Sequence, residues 1–523
     1  MKKIGLCISL ALAALCITGC DCPECGVATG LSVNTDVVVV SGATAATQTS
    51  VPGQISLKSS YSWTATNSAP AYINFPATTD GSGGTTSFPI HLTDAFFTAF
   101  TANPGQFPIE MGVYKVGDIR FVSSNGDIKN VKVYYSHLTL LMICACPEFA
   151  QELADELGIT VNTPLTLAHY AALTRVDASG NTLVTSLGGI EYFPNLKRVD
   201  VSETGIAEID LSKNNIESFI ANSCMNIGRI ELGNNNTSLT NLNLNQSVIP
   251  STVDLDLSGC PNLDHLRLAG YLGAPIDVSK NTKLTLLVVG GTFDSNYVTG
   301  ALSGERNLGL TSLDISNNPL IDSLVIQNAP ISSVDVSHLS GLKMFAVRTL
   351  LLTSVDVSNN AELLNLEVAG MPMTLDVSQN PELSKMTYIY TDLHASEAAV
   401  ALDLSNNPKI AEIITTHSGV SSITTPTNPT ALWRLQLPFC VNMTAFDFSN
   451  CTALDWMNIS HSGYTGTVDI RACTNVTFVQ VNDMINPITL KVWAGFNAAR
   501  VPGGTVEYIH SSTGATVTID DTP

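Results

Sequence analysis

A tetrapeptide of the form x-Asp-apolar-Ser recurs through most of this chain, and its spacing limits the fold more than any other feature. It is spelled Val199-Asp200-Val201-Ser202, Ile209-Asp210-Leu211-Ser212, Leu255-Asp256-Leu257-Ser258, Ile276-Asp277-Val278-Ser279 and Leu313-Asp314-Ile315-Ser316. It returns around Asp335, Asp356, Asp376, Asp403 and Asp447. Asp314, Asp335, Asp356 and Asp376 follow one another at 21, 21 and 20 residues, and Asp403 to Asp447 is two steps of 22. Simple strand alternation has no memory over such distances. A fixed period of this length marks one supersecondary unit copied many times, and units that cannot bury their apolar face alone stack into a solenoid.

Within a unit the spelling is L-x-x-L-x-L-x-x-N-x-L, as in Leu310-Thr311-Ser312-Leu313-Asp314-Ile315-Ser316-Asn317-Asn318-Pro319-Leu320. This resembles the leucine-rich repeat family, which implies that the apolar positions, Leu313 and Leu320 among them, point inward and that the Asn turns the chain. Cysteine replaces that Asn in the same family pattern, and Cys260 and Cys451 stand at the equivalent place, with Cys473 one turn of 22 beyond Cys451. These thiols, with Cys224 and Cys440, are expected to be buried and inert. Each period pairs the regular half-unit with a variable one. Turns stack about 4.8 Å apart, so a column of Asp would repel by about 1 kcal/mol per neighbouring pair at water's dielectric. Hydrogen bonds from the following Ser and backbone are expected to offset this; a calcium ladder is the alternative.

The variable half-unit is expected to carry recognition. Aligning the inward pairs Leu435/Leu437, Met457/Ile459 and Val479/Val481, each 22 apart, gives an outward column of Arg434, Trp456 and Phe478 and a second of Gln436, Asn458 and Gln480. An aromatic platform with amides and a guanidinium suits a pyranose ring, and equally a protein hot spot. Packing of Trp456 and Phe478 beneath a terminal cap is the competing expectation.

Met1-Lys2-Lys3 followed by an apolar run from Ile4 to Ile17 reads as an export signal, too short for a convincing membrane span. It ends Cys16-Ile17-Thr18-Gly19-Cys20, which resembles the lipobox of bacterial lipoproteins and implies cleavage after residue 19 and acylation of Cys20, with residues 20–30 as a tether. The resemblance places the protein in the bacterial cell envelope, lipid-anchored, at the outer membrane and surface-exposed. Cys22/Cys25 and Cys144/Cys146 form C-x2-C and C-x-C pairs, read as disulfides or free thiols ahead of a zinc site.

Residues 31–138 contain turn clusters and short alternating runs, including Val37 to Val40, Ser87 to His91, Ile119 to Val122 and Val131 to Tyr135, which suggest an immunoglobulin-type antiparallel sandwich. Tyr61-Ser62-Trp63-Thr64-Ala65, Tyr72-Ile73-Asn74-Phe75-Pro76, Asp80-Gly81-Ser82-Gly83-Gly84-Thr85 and Gly117-Asp118-Ile119-Arg120-Phe121 resemble the BACON domain, which implies a bacterial, carbohydrate-associated module; a spacer is the alternative, and Trp63 reads as core. Residues 139–175 predict a helical N-terminal cap, with one helix from Pro147 to a stop at Gly158 and a second after Thr163-Pro164. The solenoid then spans 176–492. Residues 493–523 lose the period and alternate as strands, suiting a β-rich C-terminal cap.

The fold class is therefore mainly β. The chain holds 24 Lys+Arg against 45 Asp+Glu, a formal charge of −21, and no cluster of basic residues able to follow a phosphate backbone, which argues against nucleic acid. There is no G-x-S-x-G, H-E-x-x-H or P-loop. The sequence thus reads as a non-enzymatic, cofactor-free and metal-free binding protein that recognises a protein partner through the variable strands. Glycan capture and an architectural spacer are the alternatives.

Overall fold

The structure is a computed structural model that describes residues 31–41, 48–51, 54–76, 78–110, 113–136, 139–165, 167–273, 276–292, 307, 309–349, 351–352, 354–370, 375–390, 399–494, 496, 498–499, 506–510 and 513–522. The export signal, Cys20, Cys22 and Cys25 lie outside these residues. Two compact units emerge, one running to Ile206 with Asp210–Glu217, the other comprising Ala207–Ile209 and Ser218 onward. Among the described residues no helix is long and apolar enough to cross a membrane.

In the first unit, Leu31–Val33, Gln54–Ser59 and Gly84–Pro89 form an antiparallel three-stranded sheet. A second sheet runs Thr49–Val51, Val37–Ser41, Ile128–Ser136, Val113–Ser123, Trp63–Asn67 and Thr78–Gly81. Both sheets contribute to one core, with Ile55 and Leu57 from the first meeting Trp63, Ala65, Ile119 and Phe121 from the second. Strands cover the expected runs Val37 to Val40, Ile119 to Val122 and Val131 to Tyr135, while the one expected from Ser87 to His91 is Gly84–Pro89, and Trp63 is core, edge-on to Phe88 and Phe121. Val37–Ser41 pairs with Ile128–Ser136 in parallel, so the unit is not purely antiparallel.

A helix absent from the sequence reading, Asp94–Ala102, lies between the strands. Thr93 Oγ1 caps it by accepting from the Phe96 amide, and Phe96 and Phe100, four residues apart, bury one face against Tyr135. Residues 139–175 hold Leu140–Ile143, Pro147–Leu157 and Leu167–Ala172 as helices. Proline opens the middle one and Gly158, at φ 65°, closes it in the left-handed region. Cys144 and Cys146 are free thiols.

The second unit is a β-solenoid. Its main sheet is a parallel ladder from Ser218–Ile220 through Ser323–Gln327, Met344–Thr349, Asn365–Gly370 and Lys385–Tyr390 to Phe478–Gln480 and Val506–Ile509. The strands come from the variable half-units. From Asp256 to Asp376 and at Asp447 the x-Asp-apolar-Ser segments belong to no strand and run into a turn at the Ser. Asp200 is an exception, because Arg198–Asp200 pairs as a strand with Arg175–Asp177 in the first unit.

Burial corrects the inward frame. Leu320 is 56% exposed and Leu313 is only half-buried, whereas Ile315, Asn318, Ile321, Leu324 and Ile326 are the residues enclosed. Leu320 sits in a second turn that follows the Asn, so the chain bends twice per period and the next inward residue is one place later. The residue after each Asp goes to the core, and the residue before it is half-buried at Leu255, Leu313, Val334, Val355 and Phe446. A central turn thereby buries Leu363, Leu366 and Val368, each contributing about 1.5–3 kcal/mol.

Polar ladders bind turn to turn. Asn281, Asn318, Asn360, Asn380 and Asn407 are fully buried, and each Nδ2 donates to two carbonyls of the preceding turn, as Asn360 does to Val336 O at 2.9 Å and Leu339 O at 2.7 Å. Cys260, Cys451 and Cys473 occupy the same column, completely enclosed. Burial pushes the Cys260 thiol up to about 11 and those of Cys451 and Cys473 to about 12, so these cysteines stay protonated. Leu339 fills the position in its own turn, and there the neighbouring His338 Nε2 reaches the Ile315 carbonyl instead, at 2.9 Å.

The Asp column is held as expected. Ser337, Ser358, Ser378 and Ser405 amides donate to Asp335, Asp356, Asp376 and Asp403 Oδ1 at 2.9–3.0 Å. The Ser hydroxyl and then the amide hold these carboxyls below their ordinary range, while for Asp356 the flanking Asp335 and Asp376 push the other way. Among the described residues no group of three or more His, Cys, Asp or Glu is placed to hold a metal ion. A carboxyl with a lower pKa folded than unfolded stabilises only while ionised, so this contribution is complete above about pH 5 and is lost as pH falls through the folded values. The melting temperature should therefore drop on acidification below that point. Replacing Asp335, Asp356 and Asp376 together by Asn should flatten the acid limb; an identical limb would contradict the assignment.

Candidate functional site

Four adjacent strands, Glu412–Thr416, Arg434–Gln436, Trp456–Asn458 and Phe478–Gln480, pair in parallel and in register. Ile413, Leu435, Met457 and Val479 alternate inward and are fully enclosed, which turns their neighbours outward. The six residues singled out from the sequence fall into the two rows that the spacing implies. Arg434, Trp456 and Phe478 are register partners, and so are Gln436, Asn458 and Gln480. The first row extends upstream through Glu412 to Lys385.

Stacking closes the first row on itself. Trp456 and Phe478 lie with centroids 4.6 Å apart and planes 3° from parallel, and Arg434 Cζ covers the Trp456 ring from the preceding turn at 4.9 Å. Both faces of the indole are therefore occupied and only its edge meets solvent. A pyranose ring stacks on an open face, so Trp456 is not the platform that the sequence suggests. Arg434 Nη1 also faces Glu412 Oε2 at 3.5 Å, and Lys385 Nζ reaches the same oxygen at 3.7 Å.

The second row is fixed by hydrogen bonds. Arg434 Nη2 donates to Gln436 Oε1 at 3.1 Å, and the Ser460 amide donates to Asn458 Oδ1 at 2.9 Å. Asn458 is the deepest of the set at 7% exposure, and Gln436 and Gln480 are half-buried.

A third row escaped the sequence reading. His417, Phe439, His461 and Asp483 are 22 residues apart and follow the same four strands. His417 and Phe439 stack at 4.2 Å and 13°, Phe439 and His461 at 4.2 Å and 19°, and His461 Nε2 faces Asp483 Oδ2 at 3.4 Å. All four have positive φ, 48° to 59°. Side chains are uncommon in this region, and Gly270, Gly290 and Gly370 hold positive φ at the ends of other strands. The spacing of 22 was a sufficient signal. Strand alternation did not reach it, because the row lies beyond the strand ends. Beside the rows, Trp433 is 39% exposed and Ile485 51%.

No protein-family model matches the chain, and no curated protein sequence does. Among solved structures, the functional domain of InlJ from Listeria monocytogenes, described as including a cysteine ladder, aligns at a TM-score of 0.51 with 19% identity, over 68% of this chain and 77% of that one. The solenoid has a leucine-rich repeat fold. Weaker likenesses include an internalin, inlF, of the same species (TM-score 0.43, 15% identity, 74% of this chain and 98% of that one). Another is YopM from Yersinia enterocolitica (0.31, 13%, 67% and 89%). In this solenoid Cys260, Cys451 and Cys473 share one buried column with the asparagines.

Proposed function

We propose that the protein is a non-enzymatic, lipid-anchored surface protein of the bacterial envelope that binds a protein partner through the last turns of its main sheet. One observation carries the reading: two outward rows of side chains stand on four strands whose inward residues keep the uniform core pattern, a third row follows just beyond the strand ends, and two of the three rows are aromatic and stacked. Edges of Trp and Arg beside exposed Trp433 and Ile485 are the chemistry of protein hot spots, and the covered indole faces count against sugar stacking. The leucine-rich repeat fold supports a partner-binding role.

Capture of partners by the full chain and by Trp433→Ala/Gln436→Arg/Gln480→Arg should differ at least tenfold at equal melting temperature, whereas Asn359→Arg, on the opposite corner, should capture normally. Equal capture by all three would refute the site. Anchoring has its own check. Cys20→Ser should abolish incorporation of labelled fatty acid and release the protein from membranes, and continued labelling would rule out Cys20 as the anchor.

A further inference from the structure

The hydrogen bonds of the second row determine which ends of its amides face outward. Arg434 and the Ser460 amide can only donate, so the atoms that they touch, Gln436 Oε1 and Asn458 Oδ1, must be the carbonyl oxygens. Neither amide can be flipped without setting donor against donor. With the carbonyls engaged, the groups left for a ligand are Gln436 Nε2 and Asn458 Nδ2, from which no described residue accepts. The two residues are register partners on neighbouring strands, whose backbones are about 4.8 Å apart. The adjoining row places Lys385 and Arg434 around the single carboxylate of Glu412. Of the acids nearby, Asp455 accepts from Thr477 Oγ1 at 2.5 Å and Asp483 from Thr513 Oγ1 while facing His461 Nε2, and Glu507 follows Phe478 at the far end of the adjoining row.

From this geometry we infer that the strip presents hydrogen-bond donors and takes an acidic segment of the partner protein, whose Asp or Glu carboxylates accept from Gln436 Nε2, Asn458 Nδ2 and the outer cations. The inference rests on the binding face proposed above and adds the chemistry of what it holds. It runs against the charge of the whole chain, −21, which would repel an acidic ligand at long range. Salt near 0.15 M shortens that repulsion to about 8 Å and leaves the contact chemistry to decide.

The test uses the full chain in detergent micelles at that salt, with four fluorescent probes: a Glu-rich dodecapeptide, a Lys-rich one, a Ser/Gln one and an oligogalacturonate. The Glu-rich peptide should bind at least tenfold tighter than the other three. Gln436→Glu with Asn458→Asp keeps both carbonyl contacts and the side-chain shapes while turning donors into acceptors. This double variant should lose the Glu-rich peptide and gain the Lys-rich one, each by at least tenfold; Gln436→Glu alone, at the more exposed site, should shift both in the same direction. Binding of the Glu-rich peptide that ignores both variants, or no binding of any probe, overturns the inference. Preferential binding of the oligogalacturonate overturns the commitment to a protein segment. Failure here with partner capture still lost in the Trp433→Ala/Gln436→Arg/Gln480→Arg variant leaves the binding face standing, whereas unchanged capture removes both.

Discussion

Asn360→Ala is expected to destabilise the solenoid by about 2–4 kcal/mol. The side chain is fully buried and its Nδ2 satisfies two carbonyls of the preceding turn, Val336 O and Leu339 O. Alanine removes one of two donors from each carbonyl, leaving Val336 O to the Leu339 amide and Leu339 O to the Leu342 amide, at about 0.5–1.5 kcal/mol each, and adds a small void. Asn360→Cys should cost less, because cysteine already serves in this column at Cys260, Cys451 and Cys473. The reason is an offsetting defect in the Asn ladder. The Oδ1 atoms of Asn281, Asn318, Asn360, Asn380 and Asn407 are buried without a partner, and a thiol brings no such strong acceptor. The exposed neighbour Asn317→Ala should stay within about 0.5 kcal/mol of the parent. Urea unfolding followed by circular dichroism measures all three; an Asn360→Ala shift below 1 kcal/mol would contradict the ladder.

Gly270→Ala should cost about 2–4 kcal/mol for a different reason. Gly270 holds φ at 115°, and a Cβ built there would stand 2.2 Å from the Ser247 carbonyl oxygen in the adjacent turn. The obstacle is backbone, so no rotamer change relieves it, and the left-handed conformation adds its own penalty. Gly341, where a Cβ meets nothing, is the control, and Gly341→Ala should be near neutral. Equal melting temperatures for the two variants would show that neighbouring turns are less tightly set than described.

How far the sequence could be read follows from what each signal measures. The period of 20–22 residues specifies stacking, so the solenoid and the Asp-Ser corners were legible from spacing alone. The inward frame was not, because Leu313 and Leu320 are apolar letters on the rim and only the second bend at Pro319-Leu320 displaces them. The six candidate residues came together since 22-residue spacing maps directly onto parallel register. Their chemistry did not follow, since ring orientation is a property of stacking: the same Trp456 and Phe478 could have shown faces or edges. The row of His417, Phe439 and His461 was missed because alternation stops where the strand does, while the period continues. The helix Asp94–Ala102 was hidden among strands by an apolar run too short to declare its period.

The claim that the last turns of the main sheet recognise a protein partner is tested most directly by site-specific photo-crosslinking in cells carrying the full chain. A photoreactive amino acid at Gln436 is predicted to yield a discrete protein adduct, and the same residue at Asn359, on the opposite corner, to yield none. Adducts at Asn359 but not at Gln436, or none at Gln436 with the protein displayed and folded, would contradict the account.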